Sequence, residues 1–160
     1  MNSPTGTTLR PALPADAETI QAQRDAMFLD MGADPERVAQ AHAASLSWVR
    51  AALADGSYSG VLAEQGGQVV GGAGVIWQSL PPSPRSLLVT RAYLLNVYVQ
   101  PSGRGQGLAR RMLQHLLAEC ARRGVETVSL HASEAGRPIY EGLGFTPTNE
   151  MRLTLEKGSP

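Results

Sequence analysis

The chain has 160 residues, 42% of them hydrophobic, which is the size of one domain with room for a substantial core. Its 14 basic and 14 acidic side chains cancel, so no global field draws it to nucleic acid or an anionic membrane, and no apolar run approaches the ~20 residues of a bilayer span. A single cysteine, Cys120, excludes an internal disulfide, and with no leader-like N-terminus the expected location is the cytoplasm.

Residues 1–6 are small and polar and are expected to form a flexible N-terminus, ahead of one domain over 7–157 and a tail over 158–160. Thr7-Thr8-Leu9-Arg10 reads as a first strand. Asp16 offers a cap for a helix through Ile20, Arg24, Met27, Phe28 and Met31, ending at Gly32. Asp34-Pro35 starts a second helix, with Val38, Leu46, Val49 and Leu53 at helical spacing before Asp55-Gly56. Tyr58–Glu64 and Val69–Trp77 read as strands, and the Gly-Gly within Gln65–Gln68 suits a hairpin turn between them. Leu80 to Arg85 carries three prolines and is read as a loop. A strand over Tyr93–Val99 follows, then a glycine-rich turn. The next helix carries Leu108, Met112, Leu116, Leu117 and Cys120 on one stripe and is closed by Gly124. Cys120 in that stripe reads as a buried small hydrophobe. Val125–Leu130 is a strand, Glu134–Gly142 a short helix, and the alternation over Met151–Leu155 predicts a last strand.

The stretch Gln100-Pro-Ser-Gly-Arg-Gly-Gln-Gly107 sits where a strand stops and a helix begins. Gly103, Gly105 and Gly107 let backbone approach a ligand, and the helix start directs unpaired N–H groups and a positive dipole end at it, which is a phosphate site built without lysine. The dinucleotide spacing G-x-G-x-x-G fails, because Leu108 or Arg110 falls in the third glycine slot, and no Gly-Lys-Ser/Thr of a P-loop exists. R-x-x-G-x-A, from Arg104 to Ala109, does fit.

That pattern resembles the acetyl-CoA pyrophosphate loop of the GNAT superfamily of acyl-CoA N-acyltransferases. Further on, Ile139-Tyr-Glu-x-Leu-Gly-Phe145 is similar to the element that ends the last helix of many GNAT proteins. Together the resemblance covers Tyr93 to Leu155. It implies a single-domain α/β (α+β) fold, with a mixed six- to seven-stranded sheet, about four helices and splayed central strands. It also implies that Val97, Tyr98 and Val99 hold the pantetheine arm and thioester carbonyl, that Arg104, Gly105, Gln106, Gly107, Leu108, Ala109 and Arg110 take the pyrophosphate, and that Tyr140 protonates the departing thiolate. Arg111 is in reach of a 3′-phosphate in the same geometry. Ser133 stands where many members have asparagine and is the candidate for an additional contact to the arm; Gly136 stands where they have alanine.

A general base is harder to place, since Val128-Ser-Leu-His-Ala132 offers no carboxylate. His131 is either that base or a hydrogen-bonded packing residue. Glu64 is either a base acting through water or an exposed carboxylate beside a turn, and Asn96 either orients substrate or water or satisfies neighbouring backbone. The two N-terminal helices and the loop at 80–85 are the expected walls of the acceptor site, with Arg24 or Arg50 as candidates for an acceptor carboxylate. The implied function is transfer of an acetyl group from acetyl-CoA, a cosubstrate, to a primary amine in a direct ternary complex. The alternatives are a non-catalytic acyl-CoA-binding or sensor domain and an α/β nucleotide-binding protein. No metal is expected. The partners are acetyl-CoA and a small-molecule or peptide amine, with no nucleic acid or membrane; a homodimer and the acceptor class, from amino acid to antibiotic to protein N-terminus, stay open.

Overall fold

Paired glycines organise the centre of the sheet. Gly66 and Gly67 sit at φ 56° and 78°, the backbone a two-residue type I′ turn demands, and they join β2 (Tyr58–Gln65) to β3 (Gln68–Ser79) in an antiparallel hairpin. The computed structural model describes residues 6–156, so the expected tail and most of the expected flexible N-terminus lie outside the described residues. Around the hairpin the order is β1 (Thr8–Pro11), α1 (Ala17–Asp30), α2 (Pro35–Asp55), β2, β3, β4 (Thr90–Val99), α3 (Leu108–Arg122), β5 (Val128–Leu130) and α4 (Arg137–Gly142). The sheet runs β1-β2-β3-β4-β5, antiparallel up to β4 and parallel between β4 and β5, with α3 as the crossover.

Side-chain alternation divides the core between two faces of the sheet. Val61 and Ala63 of β2, with Val75, Ala92 and Leu94, bury the α3 stripe of Leu108, Met112, Leu113, Leu116 and Cys120. The intervening Leu62 and Tyr58 face the other way, against Ala17 and Ile20 of α1 and Val49 and Ala52 of α2. Cys120 is 2% exposed, and burial pushes its thiol pKa up, as befits a packed hydrophobe.

The Asp16 carboxylate makes no cap bond to α1 and accepts instead from Arg10 and the Leu13 N–H, whereas the caps of the next helices follow their expected chemistry. Asp34 accepts the Glu36 N–H at 3.0 Å ahead of Pro35, and Gly56 and Gly124 take left-handed conformations after α2 and α3. The sheet has five strands rather than six or seven. Met151, Leu153 and Leu155 alternate as a strand would, yet the segment joins no ladder and these side chains are 94%, 81% and 80% exposed. Period-2 patterning supplies a face; a strand also needs an edge to pair with. β5 is shorter than its apolar run, and Met31, which has helical spacing, is exposed past the end of α1.

Candidate active site

Two breaks in β4 make the site. Ala73 of β3 faces two residues of β4, Asn96 and Val97, because pairing passes from Gly72 with Tyr98 to Gly74 with Leu95. Asn96 occupies this β-bulge at φ 57°, the one non-glycine residue with positive φ among the described residues, and asparagine tolerates that conformation better than most side chains. The second break is on the opposite edge. β4 pairs with β5 only over Ala92 to Leu94, so from Leu95 to Val99 its β5 side carries no ladder and the sheet is open. The expected splaying is present, and the strand is bulged as well.

The open edge leads into the glycine-rich turn. A single 3₁₀ turn, Pro101–Gly103, is followed by Gly105 at φ 77° and by Gly107 at φ 72°, the latter as N-cap of α3. From Gly105 to Arg110 the main-chain N–H groups donate to no acceptor among the described residues; the first helical bond is Arg111 N–H to the Gly107 carbonyl at 3.1 Å. Six consecutive donors therefore converge at a helix N-terminus, with Arg104, Arg110 and Arg111 beside them and no carboxylate in the loop. Gly103 differs from its neighbours: it is buried, and an added Cβ would lie 3.1 Å from Val99 and 3.4 Å from Leu108. Its small size serves packing, whereas Gly105 and Gly107 serve the backbone turn.

Arg104 braces the loop by donating from Nε to the Val99 carbonyl at 2.8 Å and pairing with Asp30 at 2.6 Å. Arg110 reaches the Gly142 carbonyl at 3.5 Å and Arg111 the Thr7 carbonyl at 3.3 Å. Gln106 accepts from Gln65 at 2.7 Å across the loop.

Tyr140 lies on α4 and packs, with Val97, Val99 and Leu130, against the core on the α3 side. Its ring meets Phe145 edge-on at 6.0 Å, burial pushes its pKa up, and no group among the described residues hydrogen-bonds its hydroxyl. Ser133 supports this corner: its hydroxyl accepts the Gly136 N–H at 3.1 Å, and a Cβ at Gly136 would crowd both Ser133 and Tyr140, at 3.1 and 3.0 Å. That explains glycine at this position.

The base candidates fall in different places. His131 bonds through Nδ1 to the Tyr93 hydroxyl and through Nε2 to Arg152, with Glu150 at 3.7 Å. A guanidinium only donates, so Nε2 accepts and Nδ1 carries the proton of the neutral ring. Glu64 accepts from Arg10 Nε at 2.7 Å on β2, separated from β4 by all of β3, and is not brought to the gap. Asn96 is 5% exposed, and its amide accepts from Arg24 Nη1 at 2.6 Å and donates to the Tyr58 hydroxyl at 3.3 Å.

Beside Asn96, on the α1 and α2 side, is a cavity of about 190 Å³ whose lining includes Arg24, Trp48, Val49, Ile76, Leu95 and Asn96. Both N-terminal helices line it, and the 80–85 loop does not. The segment between that loop and β4 is held by the buried Arg91, which donates to the carbonyls of Ser86, Leu88 and Thr90. The side chains of β3 and β4 take the loop's place, and their inward face is legible only once the bulge is known. Arg50 is also elsewhere, paired with Glu18 at 2.7 Å on the surface. Among the described residues no cluster of His, Cys, Asp and Glu side chains has metal-binding geometry, and no helix is long and apolar enough to cross a membrane.

The class defined by this arrangement is an α/β domain with a run of free main-chain N–H groups at the mouth of an open strand pair. The family model for the acetyltransferase (GNAT) domain matches residues 28–156. A GCN5-related N-acetyltransferase from Ralstonia eutropha JMP134 is 37% identical, with a TM-score of 0.91 over 94% of this chain and 99% of that one. A predicted acetyltransferase from Clostridium acetobutylicum, whose structure was solved with acetyl-CoA, is 27% identical with a TM-score of 0.86 over 94% and 96% of the two chains. [Ribosomal protein bS18]-alanine N-acetyltransferase from Escherichia coli (strain K12) is 39% identical over 69 residues, 41% of this chain and 47% of that protein; the chain thus spans about half the length of the curated relatives it matches first. The chain belongs to the GNAT acetyltransferase family.

Proposed function

We propose that this chain transfers the acetyl group of acetyl-CoA to the primary amine of an acceptor by direct attack in a ternary complex. The observation that carries the proposal is the run of six free main-chain N–H groups, Gly105 to Arg110, at the mouth of the β4–β5 gap. Such a run at a helix N-terminus suits a pyrophosphate, and an open strand edge suits an extended amide-bearing arm. The acetyl-CoA in the structure of the Clostridium relative supports the same choice.

Acetyl-CoA supplies an activated acyl carbon and a thiolate leaving group. Arg104 to Arg110 take the pyrophosphate, and Val97, Tyr98 and Val99 take the arm. One strand amide opposes the negative charge that develops on the carbonyl oxygen, an effect of about 3–4 kcal/mol for a comparable donor. Tyr140 gives its proton to the leaving sulfur; a raised pKa keeps that proton in place at neutral pH. Ser133 accepts the Gly136 N–H, which leaves its own O–H to donate to the arm.

For the amine's proton we assign His131, acting at Nε2 once Arg152 moves off it. Asn96 has both ends of its amide engaged and is assigned to positioning. Glu64, held by Arg10, has no part in the proposal.

The occupied ring nitrogens of His131 favour one second reading, an acyl-CoA-binding sensor without turnover. Calorimetric titration with acetyl-CoA, CoA and ATP tests the cradle: the first two bind and ATP does not, and ATP binding without CoA overturns the proposal. Thiol release from acetyl-CoA across a panel of amines then separates enzyme from sensor. Tight acetyl-CoA binding with no release for any amine supports the sensor.

A further inference from the structure

From the cavity beside Asn96 we infer that the acceptor is a compact amine that carries a carboxylate next to an apolar body, and that Arg24 reads the carboxylate. The inference rests on the acetyl-transfer reading above and specifies its second substrate.

Arg24 sets itself apart by its partners. Its guanidinium lies 4.7 Å over the Phe28 ring, half-buried, and its hydrogen bond goes to a neutral amide oxygen, Asn96 Oδ1 at 2.6 Å. Among the described residues no carboxylate lies within ion-pair distance of it. Arg10 is neutralised by Asp16 and Glu64, and the buried Arg91 has its donors taken up by the carbonyls of Ser86, Leu88 and Thr90. Asp25, the neighbour of Arg24 in sequence, makes no ion pair with it and is held instead by His42 at 2.5 Å and Gln21 at 2.8 Å. A desolvated guanidinium with free donors at a cavity wall is complete only when an anion arrives, and its planar fork matches a carboxylate.

The rest of the cavity selects the body attached to that anion. Trp48, Val49, Ile76 and Leu95 are apolar, Ser45 and Asn96 are neutral and polar, and Arg24 is the only charged residue in the lining among the described residues. One cation balances a monoanion; a phosphate monoester, at about −1.5 to −2, leaves charge uncompensated among apolar walls. A volume of about 190 Å³ is below the ~300 Å³ at which pockets begin to hold drug-sized ligands, so a single amino-acid-sized molecule or terminal residue fits and an oligosaccharide does not. Asn96 links this cavity to the chemistry, because it holds Arg24 and directly precedes Val97 in the strand that reads the thioester.

The test uses the full chain saturated with CoA and three matched pairs: L-leucine with 3-methylbutylamine, L-methionine with 3-(methylthio)propylamine, and L-phenylalanine with phenethylamine. Glucosamine 6-phosphate is the phosphate arm. Binding is read from Trp48 fluorescence with CoA bound, with Trp48→Phe leaving Trp77 as the control fluorophore, and acetylation from thiol release in separate reactions in which acetyl-CoA replaces CoA. The expected result is that at least one amino acid outperforms its decarboxylated partner by roughly 10- to 100-fold in affinity and kcat/KM. Arg24→Met collapses that ratio to within about threefold, Arg24→Lys retains part of it, and neither changes CoA affinity, which also reports on folding. Equal or better performance by every decarboxylated amine, preference for the phosphate, or an undiminished ratio in Arg24→Met overturns the inference. Failure of CoA itself to bind overturns the acetyl-transfer reading instead.

Discussion

Gly107→Ala isolates what the cradle contributes, because the position is geometrically free. Nothing lies within 4 Å of a Cβ built there, so the change adds no clash and acts only through φ 72°. Holding a non-glycine residue in that region costs about 1–2 kcal/mol. For a chain of 160 residues this lowers Tm by roughly 2–8 °C. The mutant escapes the cost by turning the peptide, which swings at least one cradle N–H away. Binding a pyrophosphate then either restores the strained turn or forgoes a charge-assisted hydrogen bond of about 1.5–3 kcal/mol. The smaller of these sets the loss, so CoA affinity falls roughly 5- to 30-fold. Gly56→Ala is the matched control: φ is 80°, the surroundings are equally open, and the residue ends α2 rather than starting α3. Scanning calorimetry and calorimetric CoA titration of both variants give the answer. A similar Tm drop in both with loss of affinity in Gly107→Ala alone is expected. Unchanged affinity in Gly107→Ala, or an equal loss in Gly56→Ala, refutes the assignment of the loop.

Tyr140→Phe lowers kcat by roughly 10²- to 10⁴-fold while CoA affinity stays within about twofold, and it removes the alkaline fall of the kcat–pH profile, which in the wild type lies above the ordinary tyrosine value of about 10; equal turnover in stopped assays removes its acid role. Tyr58 is 3% exposed and burial pushes its pKa up to about 12. The unfolded chain releases that proton near pH 10 and the native state holds it to about 12, so stability is intact below 10 and declines by roughly 2–3 kcal/mol across that window. Urea titrations from pH 9 to 12 show the decline, and Tyr58→Phe flattens it. Gly74→Ala places a Cβ 2.0 Å from the Tyr58 hydroxyl and displaces the ring, costing about 1–3 kcal/mol; a thermal melt indistinguishable from wild type contradicts this packing.

Features governed by a few neighbouring residues were legible before any coordinates. Asp34-Pro35, Gly66-Gly67 and Gly124 announce a cap, a turn and a stop because each answers a local demand of the backbone, and Gly103 to Gly107 announce the strand-to-helix turn in the same way. Pairing between distant segments was not legible. Nothing in Met151 to Leu155 reveals that it meets no edge, and Val125 to Thr127, read as the start of a strand, stay outside β5. The acceptor cavity depends on contacts of that second kind. Arg24 and Asn96 are 72 positions apart, and their bond exists because a bulge turns one strand residue. A signal for the bulge was present, an asparagine in an otherwise apolar strand, since asparagine is among the residues that accept a left-handed conformation. Glu64 was a candidate only while its partner Arg10, 54 positions away, was unknown.

The division of labour between the two halves of the site bears on how its specificity can change. In the proposed reading the cradle consists of peptide N–H groups, which every residue but proline possesses, so apart from two glycines and the flanking arginines its hold on the cofactor would not depend on side-chain identity. The acceptor cavity consists of side chains on α1, α2, β3 and β4. Substitutions at Trp48, Ile76, Leu95 or Arg24 can therefore redirect the protein to a new amine without renegotiating the donor, and a library confined to those positions samples acceptors on a constant chemical engine.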